Sequence, residues 1–329
     1  MFNFLKRWLS LLLLCLALFV DFSPLLKFLK FDSSPSYNMS RQVVKTILSR
    51  EQSEGMGARV RRSIGGSQLR NFDPFLLLDE FFVKKPAGFP AHPHRGFETV
   101  TYMLSGQFNH EDFVGHKGTI GPGDLQWMTA GRGIVHSEHP ASTEVVHGLQ
   151  LWVNLPRSEK MCEPRYQELL DKDIPKVKPE PGIEVKVIAG ESFGVKSPVY
   201  TKSPTYYLDF KLGPRKQVKQ AIPAHFNAFS YILEGTMAYG ESGKQVDAHH
   251  TVVLSRDDSA DYVLLESGDQ GAHFVVIAGQ PTNEAIVQYG PFVMTTQEEI
   301  QATFEDFHMG RNGFEKAPGW RASIDGDDD

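Results

Sequence analysis

His92-Pro-His-Arg-Gly-Phe-Glu-Thr-Val100 and, downstream, Ile134-Val-His-Ser-Glu138 each hold two potential metal ligands one residue apart. Side chains alternate faces along an extended strand, so His92 and His94 share a side, as do His136 and Glu138. Two neighbouring strands of this kind aim three imidazoles and one carboxylate at one point. That donor set suits Fe(II), Mn(II), Ni(II), Cu(II) or Zn(II) and leaves positions open for water, dioxygen or a chelating substrate. A lone histidine is more often solvated or hydrogen-bonded. Here Gly88-Phe-Pro-Ala91 leads into the first pair, and Gly123-Asp-Leu125 lies between the two pairs.

Around these pairs stand further motifs: His110-Glu-Asp-Phe113, Pro122-Gly-Asp-Leu-Gln-Trp-Met-Thr-Ala-Gly-Arg-Gly133 and Gly148-Leu-Gln-Leu-Trp-Val-Asn154. Upstream are Leu48-Ser-Arg-Glu-Gln-Ser-Glu54 and Asp73-Pro-Phe-Leu-Leu-Leu-Asp-Glu80; downstream are Gly290-Pro-Phe-Val293 and Asn312-Gly-Phe-Glu315. Together they resemble the pirin family of the cupin superfamily over residues 41–321. The resemblance implies an all-β bicupin, two β-barrel or jelly-roll domains with a C-terminal helix. It also implies that His92, His94, His136 and Glu138 are the metal ligands, with Fe(2+) as the ion. Strand parity selects the same four.

A chain of 329 residues can form two compact domains, and 41% hydrophobic content with 29 glycines fits a turn-rich β-protein. The net charge of −6 argues against direct nucleic-acid binding, which needs a basic face to release phosphate counterions. With only Cys15 and Cys162 there is no disulfide framework.

Residues 1–40 form a hydrophobic extension. Lys6-Arg7 precedes an apolar run, Trp8 to Val20, of signal-core length, but Asp21 and Pro24 break its continuation. It reads either as a signal or membrane anchor or as an upstream extension from an alternative start. Met39 stands just before the point where the resemblance begins. Asn38-Met39-Ser40 is a formal glycosylation sequon.

The body is expected to divide into a metal-binding cupin domain at 41–170, a Pro- and Lys-rich linker at 171–182, a second cupin domain at 183–321 without metal ligands, and an acidic solvated tail at 322–329. Short strands bounded by turns are expected at 99–104, 124–128, 149–155, 184–188, 206–212, 229–233, 251–254, 262–265 and 273–277. Tyr102-Met-Leu-Ser-Gly106 matches Tyr231-Ile-Leu-Glu-Gly235 in type and order. The same offset carries His92 and His94 onto Ala221 and Pro223, so the second barrel has lost the site and nearby His225 is structural. Thr296 and Glu299 make a capping box, Ile300, Phe304 and Phe307 share a helical face, and Gly310 offers a stop.

Glu98 stands where many cupins carry a motif carboxylate, and a strand continuing from His94 would put it on the ligands' face. It is expected to support the site or the fold rather than bind metal. Trp127, Met128, Phe97 and Trp152 are core or pocket aromatics and thioether, and Arg132 is a turn residue or a pocket donor. H-x-H also occurs in hydrolytic zinc enzymes, but Arg95-Gly96 stands after it here instead of Asp-His.

The resemblance implies two functions. One is quercetin 2,3-dioxygenase activity, with flavonol and O2 as substrates and Glu138 as both ligand and proton acceptor. The other is a nuclear, iron-dependent transcriptional coregulator acting through transcription factor complexes of the nuclear factor kappa B pathway. The resemblance implies nucleus and cytoplasm; a functional extension would imply the secretory pathway or a membrane instead.

Overall fold

The computed structural model describes residues 39–325 apart from 56, 242 and 244, so residues 1–38 of the hydrophobic extension and the final residues 326–329 lie outside the described residues. Within this span the chain is nearly all strand, with one α-helix and one short 3-10 turn. The first barrel has two sheets. One runs in the order 165–169, 125–129, 97–105, 146–154, 75–83, 58–64, 51–54; the other runs 89–94, 134–140, 108–112, 117–120. A nine-stranded sheet builds the second barrel, held by two long bent strands, Asn227–Tyr239 and Tyr262–Gly279. The two barrels expected of a bicupin are thus present. No helix among the described residues is long and apolar enough to cross a membrane.

Alternation partitions the core. Val100 and Tyr102 on strand Phe97–Ser105 face outward from the first barrel and join Leu149, Leu151, Phe229, Tyr231, Val275 and Ile277 in a dry layer between the barrels. Tyr102 and Tyr231 make reciprocal contacts there. Tyr102 donates to Asp209 Oδ2 at 2.6 Å, and Tyr231 donates to Glu80 Oε2 at 2.7 Å. Each carboxylate also meets histidine: His273 lies 2.7 Å from Asp209, and His147 and His249 lie 2.9 and 3.1 Å from Glu80. Burial of both carboxylates is thereby compensated.

The expected domain limits are crossed at both ends. Val43–Leu48, placed by sequence in the first domain, pairs antiparallel with His250–Leu254 of the second barrel, whose edge would otherwise be open. In the other direction, helix Gln297–Met309 packs on the first barrel through Ile300, Phe304 and Phe307, which join Phe292 and Phe314 against Met128, Ala130 and Ile134. Thr296 and Glu299 form the expected capping box and Gly310 adopts the left-handed stop. Arg95 locks the helix down: its guanidinium reaches Asp306 Oδ2 at 3.0 Å, Thr303 Oγ1 at 3.2 Å and the Asn312 carbonyl at 2.7 Å. The 171–182 segment is not a loose linker, since Ile174 is buried in the layer between barrels and Lys176–Val177 pairs with Ile183–Ala189. Nor is Asp325 a solvated end. It hydrogen-bonds Ser137 Oγ and lies 3.0 Å from His139 Nε2, while Ser323 donates to Glu111.

Candidate metal centre

Strands Phe89–His94 and Ile134–Pro140 lie side by side with His92 opposite His136 and His94 opposite Ile134. A register shift between His136 and Glu138 sets Glu138 opposite Phe89, and on its other side Glu138 faces His110. The imidazole centroids of His92, His94 and His136 form a triangle with sides of 4.7, 4.4 and 4.9 Å. One ring nitrogen from each lies within 4.8 Å of the others, and Glu138 Oε2 is 4.0 Å from His136 Nε2. The three histidines chosen from the sequence therefore converge, and Glu138 lies beside them against His136.

The surroundings suit a divalent ion. Both ring nitrogens of His136 are buried without a hydrogen-bond partner, an arrangement that costs desolvation free energy unless a ligand takes a lone pair. His92 directs Nδ1 to the Pro90 carbonyl at 2.8 Å, which leaves Nε2 as its free donor. Burial, then the neighbouring imidazoles, pushes His94 and His136 well below the ordinary histidine range, and burial lowers His92. Neutral imidazole is the form that ligates. Burial pushes the Glu138 carboxyl up to about 7, against the opposing pull of His110 and the Thr101 hydroxyl.

The cluster opens into a cavity of about 700 Å³, walled on one side by Leu76, Phe81, Phe89, Phe108 and Trp152. Thr101 and Gln150 come from the sheet opposite the cluster, and Thr101 Oγ1 lies 3.2 Å from Glu138 Oε1 and 2.9 Å from Gln150 Oε1. Toward the mouth, Arg62 pairs with Asp79 through two contacts of 3.0 and 2.7 Å. Sequence reasoning passed over Thr101 and Gln150, although parity with the outward Val100 and Tyr102 places Thr101 inside.

Glu98 is elsewhere. The chain turns at Gly96, with φ +90°, where a Cβ would overlap the Val293 carbonyl oxygen, so His94 and Glu98 sit on different strands. Glu98 is held by Thr129 at 2.7 Å, and burial pushes its carboxyl up to about 7. Phe97, Trp127 and Met128 are fully buried, whereas Trp152 lines the cavity. Arg132 pairs with Glu163 outside the cavity, and His225 is exposed beside Phe226.

Comparison with known proteins identifies the family and the fold. The pirin family model matches residues 57–153, and that of the pirin C-terminal cupin domain matches residues 207–313. A pirin-like protein of Solanum lycopersicum is 55% identical, and Pirin of Homo sapiens 54%, each match covering 87% of this chain and 98% of the relative. Among solved structures, a quercetin 2,3-dioxygenase from Acinetobacter baumannii is 33% identical with a TM-score of 0.76, covering 82% of this chain and 98% of its own. A bacterial pirin from Escherichia coli in complex with nickel(II) shares the fold at 18% identity, with a TM-score of 0.58, over 72% of this chain and all of its own. With both halves matched in order and most of each relative spanned, the chain belongs to the pirin family.

Proposed function

We propose that the protein is a metal-dependent dioxygenase that opens flavonols with O2, with His92, His94, His136 and Glu138 holding Fe(2+). The observation that carries this reading is the donor cluster at the base of a cavity with an apolar wall. At about 700 Å³ the cavity falls in the range of roughly 300–1,000 Å³ usual for small-molecule sites. The 33% identical quercetin 2,3-dioxygenase structure supports the same chemistry.

When bound, the ion supplies Lewis acidity that lowers the pKa of the flavonol 3-hydroxyl and holds a site for oxygen. The chain supplies the rest. Phe81, Phe89, Phe108 and Trp152 take the flat rings and exclude water. Glu138, buried and less acidic than an ordinary carboxylate, accepts the hydroxyl proton, and Thr101 fixes its orientation. Gln150 and the Arg62–Asp79 pair offer polar partners to peripheral hydroxyls. In the net reaction, flavonol and O2 become a depside and carbon monoxide, without an external reductant.

The test is quercetin consumption and carbon monoxide release, measured per bound ion after loading with Fe, Mn, Co, Ni or Cu. Glu138→Gln keeps the shape but loses the proton acceptor, so turnover per ion should fall about 10²- to 10⁴-fold, the usual contribution of general base catalysis. A wild-type rate per ion in that variant removes Glu138 as the base. No turnover with any of these metals overturns the enzyme reading; the coregulator reading, in which the metal shapes a partner-binding face, then takes its place.

A further inference from the structure

A second group of ligand side chains lies within the first barrel, adjoining the first site where His110 pairs with Glu138, but none of its members lines the cavity. His110 lies in the middle of strand Phe108–Asp112 on one sheet, His116 sits in the turn after it, and Glu168 comes from Arg165–Leu169, the edge strand of the other sheet. One donor atom from each lies within 4.8 Å of the other two. His110 Nε2 is 2.7 Å and His116 Nε2 3.5 Å from the same oxygen, Glu168 Oε1.

Two observations separate this group from an ordinary ion pair. His110 is 5% exposed, yet neither of its ring nitrogens makes an aligned hydrogen bond; Nε2 is close to Glu168 but out of line for an N–H donor. Such a buried imidazole is costly unless a ligand takes its lone pair. The space is also built around the rings. A Cβ at Gly118 would stand 2.5 Å from His110 Cε1 and 2.6 Å from Nε2, so only glycine leaves His110 its place. Tyr166 covers the outer side, stacked on His116 at 4.2 Å and 11°, and Gln126 donates to Glu168 Oε1 at 3.0 Å.

We propose that His110, His116 and Glu168 form a second divalent-metal site, of the borderline class that Zn(II) represents, which fastens the two sheets of the first barrel together. Tetrahedral zinc with bonds of about 2.0–2.1 Å needs donors roughly 3.3 Å apart; the observed 2.7 and 3.5 Å to Glu168 bracket that spacing, and the His110 and His116 rings, stacked 5.3 Å apart at 18°, must tilt toward each other to share the ion. Water takes the fourth position. Gln126 anchors the carboxylate from outside the coordination sphere, as outer groups of metal sites do. The proposal does not depend on the dioxygenase reading.

The test strips the protein with chelator, reloads it with Zn(II), removes excess by gel filtration and counts zinc per folded chain by elemental analysis. The variant is His116→Ala with Glu168→Gln, because His110 faces Glu138 across the ladder and its loss would disturb the first site. Wild type should hold two ions and this variant one. His92→Ala with His94→Ala should also hold one, and zinc should raise its Tm, a gain lost when the four substitutions are combined. One ion in wild type, or two retained in His116→Ala/Glu168→Gln, overturns the site. Should His92→Ala/His94→Ala fail to fold, the other variant decides alone.

Discussion

The two barrels share a plan and fill it differently. In the first, strand Phe89–His94 pairs with Ile134–Pro140 and their inward positions carry imidazoles and a carboxylate. In the second, Gln217–Ala221 pairs in the same way with the start of Tyr262–Gly279, but Val218, Val263 and Leu265 point inward and join Ile222, Phe226 and Met237 in a sealed apolar core. Ala221, the counterpart of His92, is exposed. One copy gives up cohesive packing to hold polar ligands; the other keeps the packing, and its core cluster among the described residues holds no imidazole or carboxylate. The duplicated frame thus separates chemistry from stability.

The largest test of that separation is metal content. His92→Ala with His94→Ala should remove the ion of the first site and bring flavonol turnover to background, while His225→Ala in the second barrel should change neither. Elemental analysis of gel-filtered protein measures the metal, and quercetin consumption the turnover. A loss of metal on His225→Ala would mean that the second barrel is not silent.

Next comes packing. Leu265→Ala should cost about 2–5 kcal/mol, the usual effect of emptying a buried leucine site. His136→Leu, measured in chelator-treated protein, should do the opposite. It replaces a buried imidazole with no partner on either nitrogen, so stability should rise by about 1–3 kcal/mol, the cost of an unsatisfied polar group. Urea unfolding of both variants reads the contrast directly. If His136→Leu is destabilised as strongly as Leu265→Ala, the first site is packed like a core and does not store the proposed cost.

Much of this contrast was legible in the sequence, because strand parity is local. His92 with His94, His136 with Glu138, the Tyr102 and Tyr231 echo and the Thr296–Glu299 capping box each rest on patterns a few residues long. Pairing across long separations was not legible. Nothing in Val43–Leu48 says that it will complete the second barrel, because any strand fits an open edge and the partner is decided by which edge the fold leaves free. Helix Gln297–Met309 shows its apolar face but not the surface it covers, which depends on the buried Arg95–Asp306 pair. His110, His116 and Glu168 meet only because strands of two sheets approach each other. Glu98 was expected to support the site or the fold and is held within the fold by Thr129; only the face assigned to it failed, because parity was extended past His94, where the strand ends before the turn at Gly96.

The smallest expected effects lie where the barrels meet, and they test whether the duplication is symmetric. Glu80 and Asp209 are 129 residues apart (209 − 80), the same spacing as Tyr102 and Tyr231 (231 − 102), and each tyrosine donates to the carboxylate of the other barrel. Tyr102→Phe and Tyr231→Phe should therefore behave alike, each losing about 1.5–3 kcal/mol at neutral pH, the range for a hydrogen bond to a charged group. Burial alone would raise both carboxyls. Hydrogen bonds from His147 and Tyr231 nevertheless hold Glu80 below the ordinary range, and those from His273 and Tyr102 hold Asp209 below it. A depressed carboxylate contributes stability that is present above its unfolded pKa and is lost as the pH falls through its folded value. Removing one tyrosine raises the folded pKa of its partner, so acid unfolding should begin at higher pH in either variant. The difference from wild type should shrink once both forms are protonated. Denaturant unfolding across the acid range measures this. A loss that is the same at every pH would assign the tyrosines to packing alone, and a loss confined to one of them would show that the seam, unlike the frame around it, is not symmetric.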